Sequence, residues 1–226
     1  MLATGGHKLY ITTRKKDVVD GLKNELGAEG QVLDVTDFEA TERAFSAAKN
    51  LFGNIDGVAN CAGSLLLKSA HMTTQQQYED VIAASLTTAF SVARSAGRHM
   101  SQNGGSVVFV SSAAANEGLA NHEAIAAAKA GINGLALSAA ASYASSNLRF
   151  NAVAPGLTET KLTAALTAND AARKVSESMH ALGRLGKPSD VARLMAFLLA
   201  PENNWITGQI IGVDGGLGSI RPKAKV

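Results

Sequence analysis

The 226-residue sequence predicts a single α/β domain built on a parallel β-sheet with helices on both faces. Two observations carry this. Short runs rich in β-branched and aromatic residues alternate with runs of helical period about ten residues or longer, the pattern of βαβ units. Hydrophobic residues make up 46% of the chain and charged residues 18%, which supplies a large core and argues against disorder. No repeat of solenoid period and no low-complexity linker interrupts the pattern, so residues 1–226 read as one domain.

The elements follow in order. His7–Thr13 and Gln31–Val35 read as strands around a helix at Lys15–Leu26, whose Val18, Val19, Leu22 and Leu26 share one face. Phe38–Phe52 is a helix with Thr36 or Asp37 as N-cap, and Ile55–Asn60 is a strand. A long helix is expected over Thr74–Met100, preceded by a break near Met72–Thr74. Asn103–Gly105 is a turn into the buried strand Ser106–Ser111. The Ala-rich run His122–Ser145 is helical, and Leu148–Ala154 is a strand stopped by Pro155-Gly156. Ser189–Leu199 is a helix with Pro188 at its start, where a missing N–H costs least, and Gln209–Asp214 is the last strand.

Composition excludes some functions. A net charge of +2, spread along the chain, is no nucleic-acid footprint. The basic tail from Arg221 to Lys225, within 217–226, reads as a solvated terminus. One cysteine, Cys61, rules out an intrachain disulfide and suits a reducing compartment, so a cytoplasmic location is expected. No apolar run is expected to approach the roughly 18 residues that span a bilayer, and Met1–Tyr10 lacks the apolar segment of a signal peptide.

Short motifs stand in series at the ends of the expected strands: Asp34-Val35-Thr36-Asp37, Asn60-Cys61-Ala62-Gly63, Ser111-Ser112, Pro155-Gly156 with Thr160, and Val213-Asp214-Gly215-Gly216. Lys129 sits one turn into a helix between them. Together they resemble the classical short-chain dehydrogenase/reductase family from about Gly6 to Gly216. The resemblance implies a Rossmann-type, doubly wound sheet binding a nicotinamide dinucleotide along the carboxyl ends of its strands. It also implies a small carbonyl or alcohol substrate, and a homodimer or homotetramer that pairs through two long helices.

By that resemblance Asp34 and Val35 flank the adenine, and Asn60, Ala62 and Gly63 let backbone pass close to the cofactor. A tight strand-to-loop turn is the alternative reading of Asn60–Gly63. Arg14, followed by Lys15 and Lys16, stands where a basic residue pairs with the 2′-phosphate, so NADP(H) is favoured over NAD(H). Pro155, Gly156 and Thr160 match the turn that holds the carboxamide, and residues 157–187 the lid over the substrate.

The catalytic set departs from the family pattern. Lys129 and Ser112 match the lysine and the serine, but the tyrosine position, four residues before Lys129 and 13 after Ser112, holds Ile125. The asparagine position is Ser85. Isoleucine has no proton to give, and Tyr143 lies too far along the same helix to replace it. His122, three residues before Ile125, is a candidate donor, against the simpler reading of a solvated histidine at a helix start.

The front end departs too. Thr4-Gly5-Gly6 is followed by a strand where a phosphate-binding Gly-rich turn would enter a helix. Met1–Gly6 therefore reads as the tail of a helix capped by Gly5-Gly6, with the family's first strand, Gly-rich turn and most of its first helix, about 20–30 residues, absent from this sequence. The absent strand is central, so its loss would separate the first two strands from the rest and weaken cofactor binding. An internal methionine at position 1, with the gene product starting upstream, is the leading expectation; a genuinely short chain is the alternative. Three functions stay open: an NADP-dependent oxidoreductase with an unusual proton source, a cofactor-binding relative without turnover, and a structural partner of an active homologue.

Overall fold

The computed structural model describes residues 1–221, so the basic tail beyond Arg221 lies outside the described residues. The chain runs β1 (Tyr10–Thr13), α1 (Lys16–Leu26), β2 (Glu29–Val32), α2 (Phe38–Phe52), β3 (Gly57–Asn60), α3 (Gln75–Ile82) and α4 (Thr88–Met100). It continues through β4 (Gly105–Val110), α5 (Glu123–Tyr143), β5 (Leu148–Pro155), α6 (Asp170–Met179), α7 (Pro188–Leu199) and β6 (Ile210–Val213). Local chemistry sets the boundaries. Gly27 ends α1 in the left-handed conformation, at φ 62°. The Asp37 carboxylate accepts the Ala40 N–H at 2.9 Å to start α2. Thr74 and Gln77 close a reciprocal capping box at the head of α3.

Every strand pair is parallel, as the alternation of elements requires. β3, β4, β5 and β6 form a four-stranded sheet in that order, and β1 pairs only with β2 in a separate sheet. On β4 the side chains alternate: Val107 and Phe109 join a core with α2, α4 and α5, while Val108 joins Val153, Met195 and Leu198 beneath α7. The architecture is the expected Rossmann-type, doubly wound α/β domain. Phe150 is fully buried between Phe109 and Tyr143, with ring centroids 6.1 and 5.6 Å away. Phe150→Ala should cost about 3–5 kcal/mol in urea unfolding; a loss below about 1 kcal/mol would mean that this core collapses around the gap.

Several expectations need correction. β1 begins at Tyr10 and β3 at Gly57, inside the expected runs, and β2 spans Glu29–Val32 in place of 31–35, because the Glu29 N–H already bonds to the Leu9 carbonyl at 2.8 Å. The long helix is not uniform: Ala83–Thr87 is a π-helical turn between α3 and α4. Residues 157–187, for which the sequence predicts no element, hold a helix, α6, started by Asn169 accepting the Ala172 N–H at 2.7 Å. Finally, Glu123–Ser146 is long and apolar enough to cross a membrane by length and composition. Alanine's mild hydropathy, summed over many alanines, brings it there, yet its Ile132, Ala136, Ala139 and Ala140 pack into the main core.

Met1–Gly5 forms one helical turn closed by a Schellman arrangement: Gly6, at φ 81°, donates to the Ala3 carbonyl, and the His7 N–H donates to Leu2. Between β1 and β3 lies an open cleft of about 2,040 Å³, walled partly by Ala44 and Ala48 of α2 and Ala196 and Leu199 of α7. Among the described residues β1 and β3 each have one hydrogen-bonded neighbouring strand.

Candidate functional site

A parallel sheet sends all its carboxyl ends to one edge, where loops rather than helices meet. Asn60–Gly63 leaves β3 there, Ser111–Ser112 leaves β4, and Pro155–Gly156 closes β5. Asn60 is buried, and its side-chain oxygen accepts the Ala62 N–H at 3.1 Å, which bends the chain sharply after β3. The tight-turn reading and the cofactor reading of this segment are therefore compatible.

Lys129 organises the edge from α5. Its Nζ donates to the Val110 carbonyl at the end of β4 at 2.7 Å, and the Ser111 hydroxyl donates to the Lys129 carbonyl at 3.2 Å. Gly63 lies against it: a Cβ there would stand 3.3 Å from Lys129 Nζ and 3.8 Å from Ser85 Oγ. Three sequence-predicted residues, Gly63, Ser85 and Lys129, are thus brought together from three elements. Burial pushes the Lys129 ammonium down to about 8, against a small opposing pull from Cys61. Cys61, between Asn60 and Ala62, is exposed on the open cleft.

Ser85 is fully buried in the π-helical turn, and neither its hydroxyl nor that of Ser64 has a hydrogen-bond partner in the protein. A π-turn shifts the register of a helix, and such turns concentrate where a side chain must be re-aimed. Buried hydroxyls without partners are costly unless a ligand or water completes them. Ser112 is extended, its oxygen accepting the Ala114 N–H at 3.1 Å, so its own proton is free to be donated.

Ile125 occupies the position four residues before Lys129, as read. It is 3% exposed, in an apolar cluster with Val81, Ala124 and Ala128, bordered by Leu66 and Ile82. His122 lies at the start of α5 with Nδ1 2.7 Å from the Ala120 carbonyl. Among the described residues no group of three or more His, Cys, Asp or Glu is placed to hold a metal ion.

Farther out, Arg14, Asp34 and Val35 line the large cleft together with Asn60, Ala62 and Gly63. The Thr36 N–H at 3.0 Å and its hydroxyl at 2.8 Å donate to Asp34. With the Arg14 charge adding, they hold the Asp34 carboxyl below its ordinary range. Thr160 is exposed, bonded through its hydroxyl to Thr163 at 3.1 Å. The residue that sequence reasoning missed is His180, 4% exposed beneath the Pro155–Leu157 turn. It stands at the end of α6, and no sequence pattern marks a side chain that is held by backbone atoms alone.

A family model described as Enoyl-(Acyl carrier protein) reductase matches residues 1–218. The chain is 35% identical over 218 residues to the 3-oxoacyl-[acyl-carrier-protein] reductase MabA of Mycobacterium tuberculosis, covering 96% of this chain and 85% of that one. It superposes on a short-chain type dehydrogenase/reductase from Mycobacterium ulcerans with a TM-score of 0.92 at 29% identity, over 98% of this chain and 86% of the other. A structure described as ElxO with NADP bound superposes at 0.90 with 26% identity, over 97% and 92%.

Proposed function

Because this chain belongs to the short-chain dehydrogenase/reductase family of NAD(P)-dependent oxidoreductases, we propose that it binds NADP(H) and works on a small carbonyl or alcohol, with Ile125 at the acid position. The observation that carries this is the buried Lys129 ammonium, set against Gly63 and the unpartnered Ser85 hydroxyl at the carboxyl edge of the sheet.

The residues fit a dinucleotide at its two ends. At one, a Cβ on Gly63 would crowd Lys129, so the turn keeps the bare backbone that a close-lying ribose and nicotinamide need. At the other, Arg14 offers a guanidinium for a 2′-phosphate.

Bound NADPH would supply the hydride. The chain's part is to hold and polarise. Lys129, anchored on Val110, would hold the ribose through its remaining N–H bonds, and the Ser112 hydroxyl, whose proton is not engaged, would donate to a substrate carbonyl. Ser85, in place of an asparagine, offers one hydroxyl to a water beside Lys129. No side chain at position 125 delivers the proton, so it comes from water, with His122 as the second candidate at the helix start. A relative named as a 3-oxoacyl-[acyl-carrier-protein] reductase makes a β-keto carbonyl the first substrate class to try. Phe90 on α4 and Leu137 on α5, each about half exposed, support pairing of two copies through these helices. A cytoplasmic location suits the one cysteine.

The competing reading is a cofactor-binding relative without turnover, favoured by the wholly apolar packing of Ile125. Fluorescence titration with NADPH and NADH tests the reading at its base. Arg14→Glu should weaken NADPH binding by about 10–100-fold, the worth of a charge-assisted pair, and leave NADH within about threefold. Absence of NADPH binding by the wild-type chain would end the proposal.

A further inference from the structure

His180 is the one buried histidine in the lid, and both of its ring nitrogens are engaged by backbone. Nδ1 lies 2.7 Å from the Ser176 carbonyl, one turn back in α6, and the Leu157 N–H donates to Nε2 at 3.1 Å. A carbonyl can only accept and an N–H can only donate. The ring is therefore neutral, with its proton on Nδ1 and its lone pair on Nε2. One imidazole in one tautomer ties the lid helix to the turn that ends β5.

Its surroundings are built around it. A Cβ on Gly156 would come within 2.6 Å of Nε2, and one on Gly215 within 3.6 Å of the His180 Cβ, so the ring lies in a slot between the β5 and β6 turns that glycines leave open. The charged groups around that slot are otherwise engaged. Asp214, after β6, accepts the N–H groups of Gly216 and Gly218 at 2.9 and 3.0 Å. Arg184, in the loop, and Arg193, on α7, both pair with Asp190 of α7. On α6, Glu177 pairs with Arg173, which also holds Glu159 from the loop after β5. No carboxylate among these is paired with the imidazole.

We infer that His180 is a positioning residue for the cofactor site: as a neutral acceptor it fixes the Pro155–Leu157 turn against the lid. The functional half of the inference rests on the proposed cofactor reading; the latch itself does not.

Two measurements separate them. Hydrogen exchange on the full chain without cofactor reads the latch: the Leu157 amide should lose at least about tenfold in protection in His180→Leu, whereas His180→Gln, which keeps an acceptor, should retain it. NADPH titration reads the function: Kd should rise about tenfold in His180→Leu and stay within about threefold of the wild type in His180→Gln. Leu157 protection in His180→Leu equal to the wild type's would overturn the latch. Lost protection in His180→Leu with unchanged NADPH affinity would overturn its positioning role. Should His180→Leu not fold, His180→Phe, which fills the slot without an acceptor, carries both readouts. A wild-type chain that binds no NADPH at any pH would sink the cofactor reading while the exchange result still stood.

Discussion

Ile125→Tyr is expected to raise NADPH-dependent reduction of a β-keto substrate by about 10²–10⁴-fold, the usual worth of a positioned general acid. Positions 125 and 129 are four apart on α5, so their side chains share a helix face. A phenol at 125 would stand near the Lys129 charge, which favours the phenolate and brings its pKa toward the working range. The substitution has a steric cost. Ile125 is 3% exposed against Val81, Ala124 and Ala128, and a larger ring in a filled site typically costs about 1–3 kcal/mol. Ile125→Phe adds that bulk without the hydroxyl and isolates the proton from the packing. Turnover by the tyrosine variant no better than by the phenylalanine variant, at equal NADPH affinity, would show that the rest of the site is not arranged for hydride transfer.

What the sequence made legible follows from what is periodic or punctuated. α2 was read at its observed bounds because Asp37 caps it and its apolar residues repeat at helical spacing; β4 and β5 were read within a residue because turn residues bound each of them on both sides. The edge cluster was legible as motif spacing: Lys129, Ser85 and Gly63 do meet, although they come from three elements. What stayed hidden depends on direction. The π-turn that carries Ser85 leaves no compositional mark, since Ala83–Thr87 reads as an ordinary helix. His180 gave no signal because its two partners are backbone atoms of Ser176 and Leu157, which any sequence supplies. The membrane-length reading failed for a related reason: hydropathy sums alanines without seeing which face of α5 packs on the sheet.

Lys129→Met is expected to change the pH dependence of stability, apart from any effect on activity. The folded chain holds the Lys129 ammonium with a pKa of about 8 where an unburied lysine has 10.5. Below pH 8 both folded and unfolded chains carry the proton, and the folded state bears the full cost of a buried charge. Between about 8 and 10.5 the unfolded chain binds more protons than the folded one. Stability from this group therefore rises with pH, by up to about 1.4 kcal/mol per unit and about 3 kcal/mol over the window. Methionine has no charge to bury and no such slope. At pH 7 it gains from removing the buried ammonium but leaves the Val110 carbonyl without its 2.7 Å donor, an offset of about 1–3 kcal/mol, so the two proteins should differ little there. By pH 10 the wild type should be the more stable, read as diverging urea midpoints, while groups common to both cancel. Parallel stability curves from pH 7.5 to 10 would mean that solvent reaches the ammonium in the folded chain. The same variant should lose NADPH affinity at pH 7, where its stability is close to that of the wild type, so the loss would be assignable to the missing ammonium and not to unfolding.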